Sequence, residues 1–411
     1  MSFNFPLTPP NSPLTLTLIL NMTRTHIALL LLLAVATTTA RAQQEPANAA
    51  QLIDKGLNAE KLELYDRAAA YYRQAIDAEP DNAQTHLHLG LLMERREHRD
   101  EAVQALHTAL TLNDTLALAC QHLVQCYIDN GDFDGSRSGH FNSEDTLVAL
   151  AERAIELNPQ AAENYCSMAL IYNHKGNYTN ALHWANQALK MAPKLPRVTN
   201  TLGVIYYNRG NDNEALSQFR KTIANDPNNV DAYYNLGVMY THRGNHETAI
   251  QHLRKGLQRD PKSIRLYQTL GRAYMLRGDD QKAIQCYQTI IGIDSLYTPA
   301  YNYLGAVYGH KGNYDQAVAY HQKAARINPN DVDAYKCLGQ LYTEKGDYVK
   351  ALRSYQKAVA VNERDHETYC LIAKLYGKQG NKARETSSYK KAAKLGNKEA
   401  QAWMVARGMA W

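Results

Sequence analysis

Tyr233-Tyr234-Asn235-Leu236-Gly237-Val238-Met239-Tyr240-Thr241-His242-Arg243-Gly244-Asn245 is followed, 34 residues later, by Tyr267-Gln268-Thr269-Leu270-Gly271-Arg272-Ala273-Tyr274-Met275-Leu276-Arg277-Gly278-Asp279. The two stretches place Tyr, Leu-Gly, Tyr and Arg-Gly alike. Outward from them the closing glycine recurs at Gly176, Gly210, Gly312, Gly346 and Gly380, each with a tyrosine four residues before it, from Tyr172 to Tyr376. A fixed period of this length marks one supersecondary unit repeated and stacked.

Each recurring residue has a physical reason. Tyr233, Leu236 and Tyr240 are three and four apart, so they form one apolar stripe on a first helix. Gly237 and Ala249 are small where two helices must approach closely. Gly244 suits a left-handed cap, and Arg243 before it suits the negative helix end. Asn211 with Glu214, and Asn313 with Gln316, have the spacing of capping boxes that open a second helix. Pro261 closes the unit, because proline cannot continue a helix.

The pattern of aromatic, Leu-Gly, Tyr, Ala, aromatic and Pro resembles the tetratricopeptide repeat, a helix-turn-helix of 34 residues. In this phase repeats begin near Ala49, Ala83, Ala117, Ala162, Pro196, Val230, Ile264, Thr298, Val332 and His366. The first two lack the glycine between their helices. The resemblance implies an all-α, right-handed superhelix, an α-solenoid of about ten repeats over residues 49–397, closed by a capping helix at residues 398–411. It also implies one elongated array in place of a central core. Tyr is abundant and Phe scarce, 28 against 5, because Tyr fills the aromatic positions.

Residues 1–42 read as an export signal with its true start at Met22. Arg24 precedes an apolar run from Ile27 to Ala36, and Ala40-Arg41-Ala42 is a small-x-small site with cleavage expected after Ala42. Residues 43–48 are then a linker, and the mature protein is expected to be soluble, exported to the periplasm or beyond, with no membrane span. Removal of residues 1–42 takes the formal charge from +5 to +3. That excludes the strong basic excess of a nucleic-acid binder.

Tyr127 and Tyr172 are 45 residues apart instead of 34. The third repeat therefore carries an extra loop at about 132–143, from Asp132 to Ser143, whose Phe133 and Phe141 either tuck onto the array or await a partner. Of the six cysteines, Cys120 with Cys166 and Cys337 with Cys370 fall on first helices of adjacent repeats. Helix spacing exceeds a disulfide's reach, so small buried hydrophobes are the expected role.

No catalytic, cofactor-binding or metal-binding constellation is found. His86 and His88, two apart on a helix, point to different sides. The cations Arg96, Lys175, Arg209, Arg243, Arg277, Lys311 and Lys345 stand just before the turn glycine positions and would form a stripe, either as helix-end charges or as a contact for acidic peptide or polyanion. Asp114-Thr115-Leu116, Asp145-Thr146-Leu147 and Asp294-Ser295-Leu296 resemble an O-glycosylation acceptor motif of some bacteria.

The family's ligands usually lie in the concave groove lined by first helices. Carried onto this chain, the resemblance implies a protein-binding groove of Asn173, His174, Asn200, Tyr207, Asn208, Tyr234, His242, Gln268, Arg272, Asn302, His310, Lys336, Gln340, Thr343 and Glu344. Tyr303 is a further tyrosine outside the signature. Such a polar, amide-rich lining suits extended polypeptide. The chain lacks the Lys and Asn set of the chaperone-tail adaptors and the catalytic domain of the repeat-bearing sugar transferases. The function expected is a non-enzymatic exported scaffold, free of cofactors, with proteins or peptides as partners, organising envelope or secretion assemblies. The alternatives are a scaffold for polysaccharide export or peptidoglycan enzymes, and a metal- or substrate-binding protein using the loop near His140.

Overall fold

A computed structural model describes residues 48–96, 98–133 and 144–411. The signal region, most of the linker, and the loop from Asp134 to Ser143 with His140 and Phe141 lie outside the described residues. The described chain is all-α. Its helices are α1 (Ala49–Lys61), α2 (Tyr65–Ala78), α3 (Ala83–Arg95), α4 (Arg99–Leu112), α5 (Ala117–Asn130), α6 (Glu144–Leu157), α7 (Ala162–His174), α8 (Tyr178–Met191), α9 (Pro196–Asn208), α10 (Asp212–Asn225) and α11 (Val230–His242). They continue as α12 (His246–Leu257), α13 (Ile264–Leu276), α14 (Asp280–Ile293), α15 (Thr298–His310), α16 (Tyr314–Ile327), α17 (Val332–Glu344), α18 (Tyr348–Val361), α19 (His366–Lys378), α20 (Lys382–Lys394) and α21 (Lys398–Val405). Helix-turn-helix pairs follow one another, the fold of a tetratricopeptide-type α-solenoid, and the first helices start at the ten positions the sequence phase marks.

Where the sequence suggests one continuous array, the chain divides into two compact units, residues up to Ile171 and residues from Tyr172 onward, with the division inside α7. In the first unit α1 packs on α2 and α3 on α4, burying Tyr72, Leu92 and Leu106. In the second unit one cluster runs from Ala215 through Leu236, Leu253, Leu270 and Tyr287 to Val307. Smaller clusters follow along the chain, the last joining Tyr389 to Met404. Trp403 stacks on Tyr389 with ring centroids 4.3 Å apart, so α21 covers the end of that cluster.

The repeating glycines act as left-handed caps. Gly244 has φ +75°, and its equivalents from Gly176 to Gly380 have φ between +70° and +87°. The Gly244 amide donates to the Thr241 carbonyl at 3.1 Å, and the Asn245 amide donates to the Tyr240 carbonyl at 2.9 Å. This is the paired bond of a Schellman turn. The tyrosine four residues before each glycine therefore offers its carbonyl as well as its ring. In the first repeat Glu63 adopts φ +57° where later repeats have glycine, a conformation costing an L-residue about 1–2 kcal/mol.

Gly237 and Ala249 are both buried, and at Gly237 the close approach is to a side chain of the second helix. A Cβ on Gly237 would lie 2.4 Å from the Leu253 side chain. The same offset of sixteen residues sets Gly203 against Phe219, Gly271 against Tyr287, Gly305 against His321 and Gly339 against Tyr355. The large side chain of the second helix thus seats on bare first-helix backbone.

The capping boxes are corrected in detail. Asn313 accepts from the Gln316 amide, yet Gln316 Oε1 takes the Asn313 side-chain amide at 2.8 Å, not the backbone N–H. Asn211 makes no side-chain cap bond. Elsewhere the Asx after the glycine caps the second helix, as Asn245 does for the Thr248 amide and Asp347 for the Lys350 amide.

None of the six cysteines is in a disulfide, and all but Cys337 are buried. Burial pushes the Cys120 thiol up to about 11 and the Cys286 thiol up to about 12, so these are unreactive hydrophobic groups. In the loop insertion, Gly131 caps α5 at φ +64°, Asp132 is buried, and Phe133 is half-buried and engaged with its own chain.

Candidate functional site

The fifth, ninth, twelfth and thirteenth residues of a first helix lie on one face, because helical neighbours are three and four apart. From α9 to α17 the fifth residues are Asn200, Tyr234, Gln268, Asn302 and Lys336, and α19 has Cys370 there. Successive first helices run with an offset of one residue beyond the 34-residue period, so polar groups 35 apart meet. Asn208 Nδ2 donates to Asn173 Oδ1 at 3.2 Å, and Asn235 Nδ2 donates to Asn200 Oδ1 at 3.0 Å. Tyr207 hydrogen-bonds to His242 Nδ1. Gln268 Nε2 donates to the Tyr303 hydroxyl at 2.6 Å, while Tyr297 donates to Gln268 Oε1 at 3.1 Å.

The residues expected to form a groove divide into groups. Tyr234, His242, Gln268 and Arg272 line one cavity of about 450 Å³, shared with Tyr287 and Tyr303. His310, Gln340 and Glu344 line another of about 380 Å³ beside His321 and Cys337. His310 also lies 3.5 Å from Asp280. Asn302 donates to Asp331 and meets His321 Nδ1 at 2.9 Å. Thr343 Oγ1 donates to the Gly339 carbonyl, and Lys336 pairs with Asp333, Glu367 and Asp365. The polar heads of Asn302, Thr343 and Lys336 are therefore committed within the chain. His174 is exposed and engaged with its own chain.

Burial acts to lower the Lys336 ammonium, but Asp365, Glu367 and Asp333 outweigh it and hold the group above its ordinary range. Burial pushes His321 down to about 4 despite Asp331 nearby. It raises the phenols of Tyr207 and Tyr303, opposed in both cases by the Arg272 guanidinium.

The basic stripe is largely a set of staples between repeats. Arg96 pairs with Asp66 at 2.7 Å, Arg243 with Asp212 at 2.7 Å, Lys345 with Asp315 at 2.5 Å, and Arg277 with Glu247. Each acid stands 30 or 31 residues before its cation, at the start of the preceding second helix. Arg209 has Tyr178 and Thr179 at those positions and makes no ion pair among the described residues.

His86 and His88 part company, as their spacing requires. His86 Nε2 meets the Pro80 carbonyl at 2.8 Å, and His88 stacks on Tyr72. The His86 bond has tyrosine counterparts: Tyr233 donates to the Pro227 carbonyl and Tyr301 to that of Ser295. Sequence reasoning took these tyrosines as packing groups alone. It also missed Asn235, Tyr287 and Tyr297. Polar residues 35 apart were the available signal. Among the described residues no group of three His, Cys, Asp or Glu side chains is placed to hold a metal ion.

Helix pairs of this fold, with a polar first-helix face, define a tetratricopeptide-repeat scaffold for protein–protein interaction. Residues 191–407, just over half of the chain, match the family described as Cilia and flagella-associated protein 70 C-terminal domain, and the chain belongs to that family. Tetratricopeptide repeats are matched again at residues 53–117 and 162–195. Scaffolds of these families are generally non-enzymatic. No curated protein matches the chain. Among solved structures, MamA is 31% identical over 40% of this chain and 97% of its own, with TM-score 0.36. Pseudomonas aeruginosa pilF is 23% identical over 51% of this chain and 97% of its own, with TM-score 0.41. A tetratricopeptide repeat protein from Parabacteroides merdae is 17% identical over 63% and 98%, with TM-score 0.50, a likeness of fold. No helix among the described residues is long and apolar enough to cross a membrane.

Proposed function

We propose that the chain is a scaffold that binds polypeptide segments along the first-helix face of its second unit and brings their owners together. The observation that carries this reading is the row of amide, phenol and imidazole groups 35 residues apart, Asn173 with Asn208, Asn200 with Asn235, Tyr207 with His242, and Gln268 with Tyr303. Amides and hydroxyls both give and accept hydrogen bonds, which matches an extended main chain. Many modest contacts along such a row give affinity without a deep pocket.

The test is crosslinking mass spectrometry on the full chain with partners captured from its native source. Crosslinks are expected on the first-helix face. Replacement of Tyr207, Tyr234 and Gln268 by alanine should release the partners. Crosslinks confined to second helices, with capture unchanged in that variant, would sink the reading.

The Arg24–Ala42 segment supports export, and an exported scaffold would organise envelope or secretion assemblies or, as the alternative, polysaccharide export or peptidoglycan enzymes. The family description favours a second placement, a ciliary or flagellar assembly. The N-terminus of the native protein separates them. A mature chain beginning at Gln43 supports export, and one retaining residues before it supports the second placement.

A further inference from the structure

The cavity between α11 and α13 is rich in hydrogen-bond donors and holds no carboxylate. Arg272, on the ninth position of α13, is exposed, and among the described residues no acid lies within ion-pair distance of it. This sets it apart from Arg96, Arg243, Arg265 and Arg277, each of which pairs with an acid of its own chain. The neighbouring acceptors are already spoken for. The Tyr303 oxygen accepts from Gln268, which leaves its own hydrogen to give. Gln268 Oε1 accepts from Tyr297. Thr241 and Thr269 turn their hydroxyls back to the Gly237 and Arg265 carbonyls. When Tyr207 donates to His242 Nδ1, the imidazole proton sits on Nε2 as a further donor.

Donors without acceptors, gathered round an unpaired guanidinium, suit a group that only accepts. We propose that this cavity takes the carboxylate of one Asp or Glu side chain from the bound polypeptide, with Arg272 as its counter-ion and the Tyr303 hydroxyl as a second donor. The proposal rests on the first-helix face being the polypeptide-binding face, and it names the anchor residue of the partner. The planar guanidinium fork can hold both carboxylate oxygens at once. The stacked pair Tyr287 and Tyr303, with centroids 5.1 Å apart, together with Met275, offers an apolar wall for the methylenes of the acidic side chain.

The test uses the full chain and a display library of random twelve-residue peptides. The wild-type chain should select peptides that share one acidic position. Its replacement by Gln or Asn in a selected peptide should weaken binding by about tenfold or more, the value of a hydrogen bond to a charged group. Arg272→Glu should lose those peptides and select ones with Lys or Arg at the same position, and Arg272→Gln should select for neither charge. Circular dichroism checks that the exposed substitutions leave the helices in place. Peptides selected without any acidic preference, or bound equally by the wild type and Arg272→Glu, would overturn the proposal while leaving a polypeptide-binding face intact. Failure to select any peptide over the bare support would remove both.

Discussion

Replacing Gly339 by alanine tests how the second helix seats on the first. A Cβ at Gly339 would lie 2.3 Å from Tyr355 Cε1 and 2.5 Å from Cδ1. An ordinary contact starts near 3.4 Å, so the ring must withdraw by roughly an ångström from a close-packed site. Tyr355 is only 2% exposed, so its ring must move against packed neighbours. Such overpacking costs about 1–3 kcal/mol. Against it, alanine in a helix interior gains about 1 kcal/mol over glycine. The net expectation is a loss of about 1 kcal/mol, with the sign decided by the ring.

Removing the ring should reverse that sign. In a Tyr355→Ala background, itself costing about 3–5 kcal/mol, Gly339→Ala should stabilise by about 1 kcal/mol, since only the helix preference remains. The difference between backgrounds is the coupling energy. Urea unfolding followed by circular dichroism gives the global value. Hydrogen exchange at the amides of α17 and α18 gives the local one, because stacked repeats can open individually. If Gly339→Ala protected those amides at least as well as wild type while Tyr355 kept its ring, the close-approach argument would be wrong.

Two further predictions concern charge. His321 is buried and neutral, with its folded value down to about 4 against the ordinary 6.5, so the unfolded chain binds the extra proton first. Stability from this group is complete above about pH 6.5 and declines as the pH falls toward 4, by a few kcal/mol at most. His321→Leu, the residue found at the equivalent Leu253, should flatten that part of a stability–pH curve, with a shallower slope left by the half-buried His88 and His252, which burial also holds below the ordinary imidazole range. An unchanged slope would contradict the assignment. The Arg243–Asp212 staple is about a third exposed on both sides, so Arg243→Gln should cost about 0.2–1 kcal/mol at low salt and less at high salt in thermal melts.

The repeat phase, the helix starts and the left-handed glycines were all present in the sequence, because they depend on local chemistry. A Schellman turn needs a residue that tolerates positive φ, a stripe needs apolar groups three and four apart, and a 34-residue period imposes both at each step. Gly244 and Tyr240 could be read without knowing what they touch. Partners set by packing between helices could not. Gly237 seats Leu253, the Arg243 charge is spent on Asp212, and Lys336 and Asn302 are drawn into contacts with the next repeat. Those outcomes depend on the one-residue offset between successive first helices and on the pitch of each pair, which are set when whole faces pack together. The same packing left Arg272 without an acid and brought Tyr287 and Tyr303 beside it. The chain's order of residues therefore determined which face each side chain occupies, and only the tertiary arrangement decided which of those side chains are already satisfied and which still have bonds to offer.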